Sequence, residues 1–265
     1  MSTAALAADA AAAATSVQRT PHGAAHPGAA LTLAHASAEQ AWNSRQLAAP
    51  ITVPHVRVWT YPAPGVVFGC AQAALRGEAA SAARTECELV QRRAGGGAVL
   101  VGPWMLSSSI VLPPDHRLLA GGTVSSYRWL GVLHAGLLRD FGVAAHALAP
   151  DELRSRPNDP ALAWACFGGL SPWEVIADGR KIVGLAQLRS RHGVLLTTGT
   201  LLHRPDWALL CRALDRPATD VGRLDAVTTS CTEILGTSMH TETLAQGLQQ
   251  MLADVLGDFE EAPTA

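Results

Sequence analysis

Between Thr123 and Phe141 the apolar residues Leu130, Leu133, Leu137, Leu138 and Phe141 fall three or four positions apart, and Gly142 follows them. That spacing draws one stripe along a helix that covers a sheet, and the glycine suits its left-handed stop. Glu242 to Leu256 shows the same period, with Leu244, Leu248, Met251, Leu252 and Val255 on one side. A short helix is predicted over Ser37 to Leu47. Ser230-Cys231-Thr232-Glu233 has the form of a capping box before a short helix that Gly236 ends. Elsewhere the period drops towards two. Val56 to Tyr61 reads as a strand, Pro62-Ala63-Pro64-Gly65 breaks it, and Val66 to Cys70 follows, which together predict a hairpin. Gln72 to Cys87 is alanine-rich and helical in part, interrupted at Gly77, and Glu88 to Arg93 runs extended into Ala94-Gly95-Gly96-Gly97-Ala98-Val99. Ser107 to Leu112 is a further strand. Trp173 to Ile176, Lys181 to Leu188 and Val194 to Leu202 form a meander whose first turn carries the Asp178-Gly179 hairpin signal. Strands in consecutive groups, with helices between and after them, predict an α+β fold around mixed or antiparallel sheets with packed helices.

Composition narrows the function more than the fold. The chain has 265 residues, 48% hydrophobic and 16% charged, which fits one large domain. A formal net charge of −2 and no basic run longer than Arg92-Arg93 argue against a nucleic-acid partner. No apolar run reaches membrane-spanning length, so no membrane partner is expected. Five widely spaced cysteines, none in a C-x-x-C pair, fit neither a disulfide framework nor a zinc site, and predict a cytoplasmic protein without a metal. Residues 1–30 read as a disordered alanine-rich extension, 31–258 as the folded domain and 259–265 as a tail.

Twenty basic residues comprise nineteen arginines and a single lysine, Lys181. An ammonium is a compact point charge that approaches one oxygen end-on, where a guanidinium is a planar fork. Strict alternation would put Lys181, Val183, Leu185 and Gln187 on one face of their strand, with Ile182, Gly184, Ala186 and Leu188 on the other. Cys166 lies just ahead of the strand expected to pair with that of Lys181. A cysteine is most often a small buried hydrophobe; an ammonium beside it would favour the nucleophilic thiolate. Three residues without Cβ at Gly95, Gly96 and Gly97 let a backbone approach a ligand closely, although their spacing matches neither a P-loop nor a dinucleotide fingerprint.

The ordered set Arg92-Arg93-x-Gly95-Gly96-Gly97-Ala98-Val99, Cys166-Phe167, Trp173-Glu174-Val175, Gly179-Arg180-Lys181-Ile182-Val183-Gly184-x-Ala186-Gln187 and Gly199-Thr200-Leu201-Leu202 resembles the lipoate-protein ligase and octanoyltransferase family. The resemblance runs from Ala34 to Leu256. It implies the catalytic domain shared with biotin-protein ligases, a glycine-rich wall to an acyl tunnel, and a lysine on the acyl carbonyl or acyl-phosphate oxygen. The implied catalytic residues are Lys181 and Cys166. Substrate-binding residues would be Arg92, Arg93, Gly95, Gly96, Gly97, Ala98, Gly184, Gln187, Gly199 and Thr200. One branch of the family moves octanoyl groups through a cysteine thioester and needs no cofactor, and a cysteine followed by phenylalanine at this distance resembles it. The acceptors implied are lipoyl domains of 2-oxoacid dehydrogenases or the glycine-cleavage H protein, with acyl carrier protein as one donor. The alternative is a ligase that uses ATP and Mg²⁺ to form lipoyl-AMP. The chain departs from the family pattern at Gln91, Ala94, Val101 and Thr198, where arginine, Ser or Thr, histidine and histidine are usual. A non-catalytic acyl- or lipoyl-binding protein is therefore a second alternative.

Overall fold

Met105–Leu112 is buried along its whole length, as expected of a strand with layers on both faces, and it lies near the middle of the larger of two sheets. The computed structural model describes residues 31–81 and 87–257. The expected extension, the tail and residues 82–86 of the alanine-rich segment lie outside these. The strands are β1 (Leu31–Leu33), β2 (His55–Thr60), β3 (Gly65–Phe68), β4 (Glu88–Gln91), β5 (Val99–Val101), β6 (Met105–Leu112), β7 (Ala145–Ala147), β8 (Val175–Ala177), β9 (Arg180–Arg189) and β10 (Val194–Leu201). The longer helices are α1 (Ala36–Gln46), α2 (Ala73–Ser81), α3 (Arg128–Asp140), α4 (Trp207–Ala213), α5 (Thr219–Val227) and α6 (Thr241–Leu256).

The large sheet runs β1-β2-β6-β10-β9-β8-β7, antiparallel except for the β1–β2 pair. The small sheet runs β4-β3-β5, with β3 parallel to β4 and antiparallel to β5. The mixed α+β class is as the sequence predicts, and the β8-β9-β10 meander turns at Asp178 and Gly179 with φ of 50° and 72°, the primed-turn geometry of a tight hairpin. The predicted hairpin of β2 with β3 does not form. The two strands belong to different sheets, and the Pro62-Ala63-Pro64 linker, with two residues that lack an N–H, carries the chain from one to the other. The helix predicted from Thr123 is also divided, into a turn at Gly122–Ser125 and α3 proper.

Two cores flank the large sheet. On one side α3 and α6 cover it with Leu130, Leu133, Leu138, Leu244 and Leu248, each contributing roughly 1.5–3 kcal/mol on burial. On the other side α1, α4 and the small sheet enclose Trp42, Trp59, Phe68, Met105, Phe167 and Trp207. The main cavity lies on this second side.

One polar residue is sealed in the helical side. His134 of α3 is fully buried, its Nδ1 is 3.4 Å from Thr200 Oγ1, and its Nε2 has no partner among the described residues. Burial holds its pKa down at about 4. The unfolded chain takes up a proton near pH 6.5 that the folded chain refuses, so this contribution is whole above pH 6.5 and is lost as the pH falls towards 4. Over that window stability should drop by on the order of 3 kcal/mol from this group. His134→Leu should flatten the acid limb when urea midpoints are compared between neutral and acidic buffer. An unchanged slope in the variant would show that other groups set it.

Candidate functional site

The glycine loop is folded around an arginine. After β4, the Arg92 side chain turns back and donates from Nε and Nη2 to Gly95 O, at 3.1 and 2.8 Å, and from Nη2 to Gly97 O at 2.9 Å. Gly96 sits at φ 93°, and a Cβ there would stand 2.9 Å from Arg92 Nη2. The loop passes so close to β3's end that a Cβ on Gly69 would lie 1.8 Å from Gly96 O. On its far side Gly97 packs on the Ala165–Cys166 peptide, where a Cβ would come within 2.7 Å of three backbone atoms. Ala98 N donates to Trp164 O at 2.8 Å, and Cys166 N donates to Ala98 O at 2.9 Å. Gly97 thus lacks a side chain because backbone meets backbone there, and Gly96 because of its positive φ and the Arg92 guanidinium. The Gly97 contact fixes where Cys166 sits, while a Cβ on Gly95 would meet nothing within 4 Å.

Lys181 is almost wholly buried, at 1% exposure. Its Nζ donates to Glu174 Oε2 at 2.7 Å, Cys166 O at 2.8 Å and Gly169 O at 2.9 Å, which uses all three ammonium hydrogens. The Phe167 ring lies beneath it, 5.1 Å from Nζ to centroid. Glu174 is held in turn by Ser171 N at 2.8 Å and Leu185 N at 3.2 Å. Burial pushes the Glu174 carboxyl up in pKa, and the Lys181 charge opposes it. The lysine therefore touches the cysteine through the cysteine's own carbonyl.

Simple alternation along β9 fails at its first residues. A bulge against Val175 and Ile176 pairs Val175 with Val183 but Ile176 with Lys181, leaving Ile182 as an extra residue. Ile182 and Val183 both face the helical core, and Lys181 turns to the face of Gly184, where a Cβ would lie 3.5 Å from Lys181 Cε. Gln187 faces the other way and donates to Thr123 O at 2.8 Å. The expectation that Lys181 and Gln187 share a face is corrected by that extra residue.

A cavity opens between α1, the glycine loop and the sheet. Its floor follows one cross-strand row: Gly184 pairs with Gly199, and Gly199 pairs with Ser107. Cys166, Phe167, Ser107, Tyr61, Glu39 and Asn43 all line it, with Phe167 against Gly184 on one strand of the row and Tyr61, bonded to Glu39, beside Ser107 on the other. Arg92, Arg93, Cys166, Gly184 and Gly199 of the expected set border it. Gly95, Gly96, Gly97 and Ala98 stand outside its lining, as do Lys181, Gln187 and Thr200. Thr200 instead faces His134. The thiols differ: Cys166 is half-buried at the cavity, whereas burial pushes Cys211 up to about 11 and Cys231 up to about 12. Among the described residues no group of three or more His, Cys, Asp or Glu is placed to hold a metal, and no helix is long and apolar enough to cross a membrane.

Sequence reasoning missed Glu39, Asn43, Tyr61 and Ser107. The available signals were Glu39 and Asn43 one helical turn apart, and three successive serines within an apolar strand, Ser107 to Ser109. Glu174 stands within the Trp173-Glu174-Val175 motif, and its part in holding Lys181 is visible only in the fold.

The lipoyl protein ligase A/B catalytic domain matches residues 33–253, and the chain belongs to that family. An octanoyltransferase LipM from Kyrpidia tusciae is 33% identical over 175 residues, 63% of this chain and 62% of that one. The LipM of Symbiobacterium thermophilum is 30% identical over 188 residues, 69% of this chain and 68% of its own. The match to the first of these spans about three-fifths of its length. The architecture matches a crystal structure of lipoate-protein ligase A bound with ATP, at TM-score 0.62 and 20% identity over 89% of this chain and 87% of the other. A bipartite lipoate protein ligase from Thermoplasma acidophilum, studied with its E2 lipoyl domain, gives TM-score 0.62 at 17% identity over 91% of this chain and 88% of the other. At these identities the two structures share the fold.

Proposed function

We propose that this chain is an acyltransferase that moves an octanoyl or lipoyl group to a lysine of a lipoyl domain or glycine-cleavage H protein, through a thioester on Cys166. The observation that carries this reading is the placement of Cys166, a half-buried thiol on the cavity wall whose backbone is gripped by Lys181 and by the glycine loop. The Cys166 thiolate attacks the carbonyl carbon of an acyl thioester, the donor C–S bond breaks, and the donor leaves as a thiolate that takes up the proton the Cys166 thiol gave to solvent. The acceptor amine then attacks the enzyme thioester, forms the amide and releases the Cys166 thiol. Lys181 stands outside the acyl cavity's lining, so it would reach the acyl oxygen by giving up one of its two carbonyl partners and turning towards the cavity, while Glu174 keeps the ammonium in place.

A second cleft borders the other side of the Cys166–Gly169 turn, with Arg156, Asn158, Gly169, Gly179 and Lys181 along it. It favours a ligase as the alternative reading, in which Lys181 and Arg156 along this cleft would hold the phosphates of ATP. Intact-mass measurement after incubation with octanoyl-acyl carrier protein should give one added acyl group that hydroxylamine removes, and addition of a lipoyl domain should transfer it. Modification of the lipoyl domain only with lipoate plus ATP would instead establish the ligase. No modification under either condition would leave an acyl-binding protein.

A further inference from the structure

The end of the cavity remote from Cys166 is polar, although a saturated chain would end there in a methyl group. Glu39 and Asn43 project from successive turns of α1 and are buried at 5% and 3% exposure. Tyr61 donates its hydroxyl to Glu39 Oε2 at 2.8 Å, and Ser107 lies alongside on the cavity wall. Burial raises the pKa of both Glu39 and Tyr61. The Asn43 carboxamide faces the same space, close enough to favour the Glu39 carboxylate, yet neither its Oδ1 nor its Nδ2 reaches a partner in hydrogen-bonding geometry among the described residues. A buried amide with both ends unpaired is costly to a fold, and an apolar residue of the same shape would be better tolerated unless something arrives to pair it.

The distance along the floor fits an acyl chain. From Gly184 through Gly199 to Ser107 the row crosses two interstrand spacings, roughly 10 Å and about the reach of an extended eight-carbon chain. A chain with its carbonyl at Cys166 would therefore bring its far end to Asn43. We infer that Asn43, with Glu39 beside it, forms a hydrogen-bonding subsite that selects a medium-length acyl chain carrying an oxygen at its tip over the unsubstituted chain. The tip oxygen accepts from Asn43 Nδ2, and a tip hydroxyl also donates to Asn43 Oδ1 or to the Glu39 carboxyl. This rests on the acyl-cavity reading above and adds the kind of chain the cavity takes.

Calorimetric titration of the full chain with 8-hydroxyoctanoate and with octanoate tests it. The hydroxylated acid should bind about tenfold more tightly, and Asn43→Leu should reverse the order by giving the plain chain an apolar end wall. Octanoate bound as tightly as the hydroxy acid by the unmodified protein overturns the subsite and leaves the acyl cavity standing. An unchanged preference in a folded Asn43→Leu variant overturns the assignment to Asn43. Binding of neither acid removes the acyl cavity and the subsite together. The comparison of the two acids on the unmodified chain decides the selectivity even where the variant does not fold.

Discussion

Lys181→Met should lower unfolding stability by about 3–5 kcal/mol, the usual cost of leaving a buried charge without its partner. The structure locates that cost. Glu174 is 2% exposed and would keep only its bonds from Ser171 N and Leu185 N, and two carbonyls, of Cys166 and Gly169, would lose their donor. Adding Glu174→Gln to that variant should restore part of the stability, because a neutral amide can still accept from one of the two backbone N–H groups. Acyl transfer should stay lost in both proteins. Urea unfolding and a transfer assay on the same preparations separate the two roles: a double variant that regains activity along with stability would make Lys181 a structural cation only. Lys181→Arg offers no neutral test, since the larger guanidinium would have to enter the space between Phe167 and Gly184.

Cys166→Ser should abolish or strongly reduce the covalent acyl adduct and slow transfer by several orders of magnitude, since an alkoxide is far harder to form than a thiolate. Cys211→Ser should leave the adduct intact. Cys211 and Cys231 are buried thiols with pKa raised to about 11 and 12, so they stay protonated near neutral pH. Cys70 is exposed and calls for its own serine control. The measurement is intact mass before and after hydroxylamine. A Cys166→Ala protein that modifies a lipoyl domain fully, and only with ATP, would move the assignment to the ligase.

The elements most readable in the sequence were those whose pattern is local. The stripe from Leu130 to Leu138 and that from Leu244 to Leu252 form α3 and α6, and Asp178-Gly179 turns β8 into β9. Partner choice was less readable. Alternation in β2 and β3 says that each is a strand but not that the proline linker divides them between sheets. The phase of β9 was lost for a similar reason, because one extra residue at Ile182 is set by what β8 offers across the ladder. Cys166 and Lys181 stood out through a motif and through rarity, and the structure joins them through a carbonyl oxygen. The polar pole of the cavity was invisible because Glu39, Gln40, Asn43 and Ser44 read as the wet side of a helix. Only the tertiary fold reveals that two of them are sealed in.

The contact between Gly69 and Gly96 restricts how this chain can diverge. A methyl group at Gly69 would occupy the position of Gly96 O, and one at Gly96 would meet both Arg92 and an unfavourable φ of 93°. Neither glycine can be exchanged first while the other waits, so drift at this point is blocked from both directions. A descendant carrying a side chain at either place must have re-routed the loop, and with it the footing of Cys166. The shape of the cleft mouth is thus inherited as a unit.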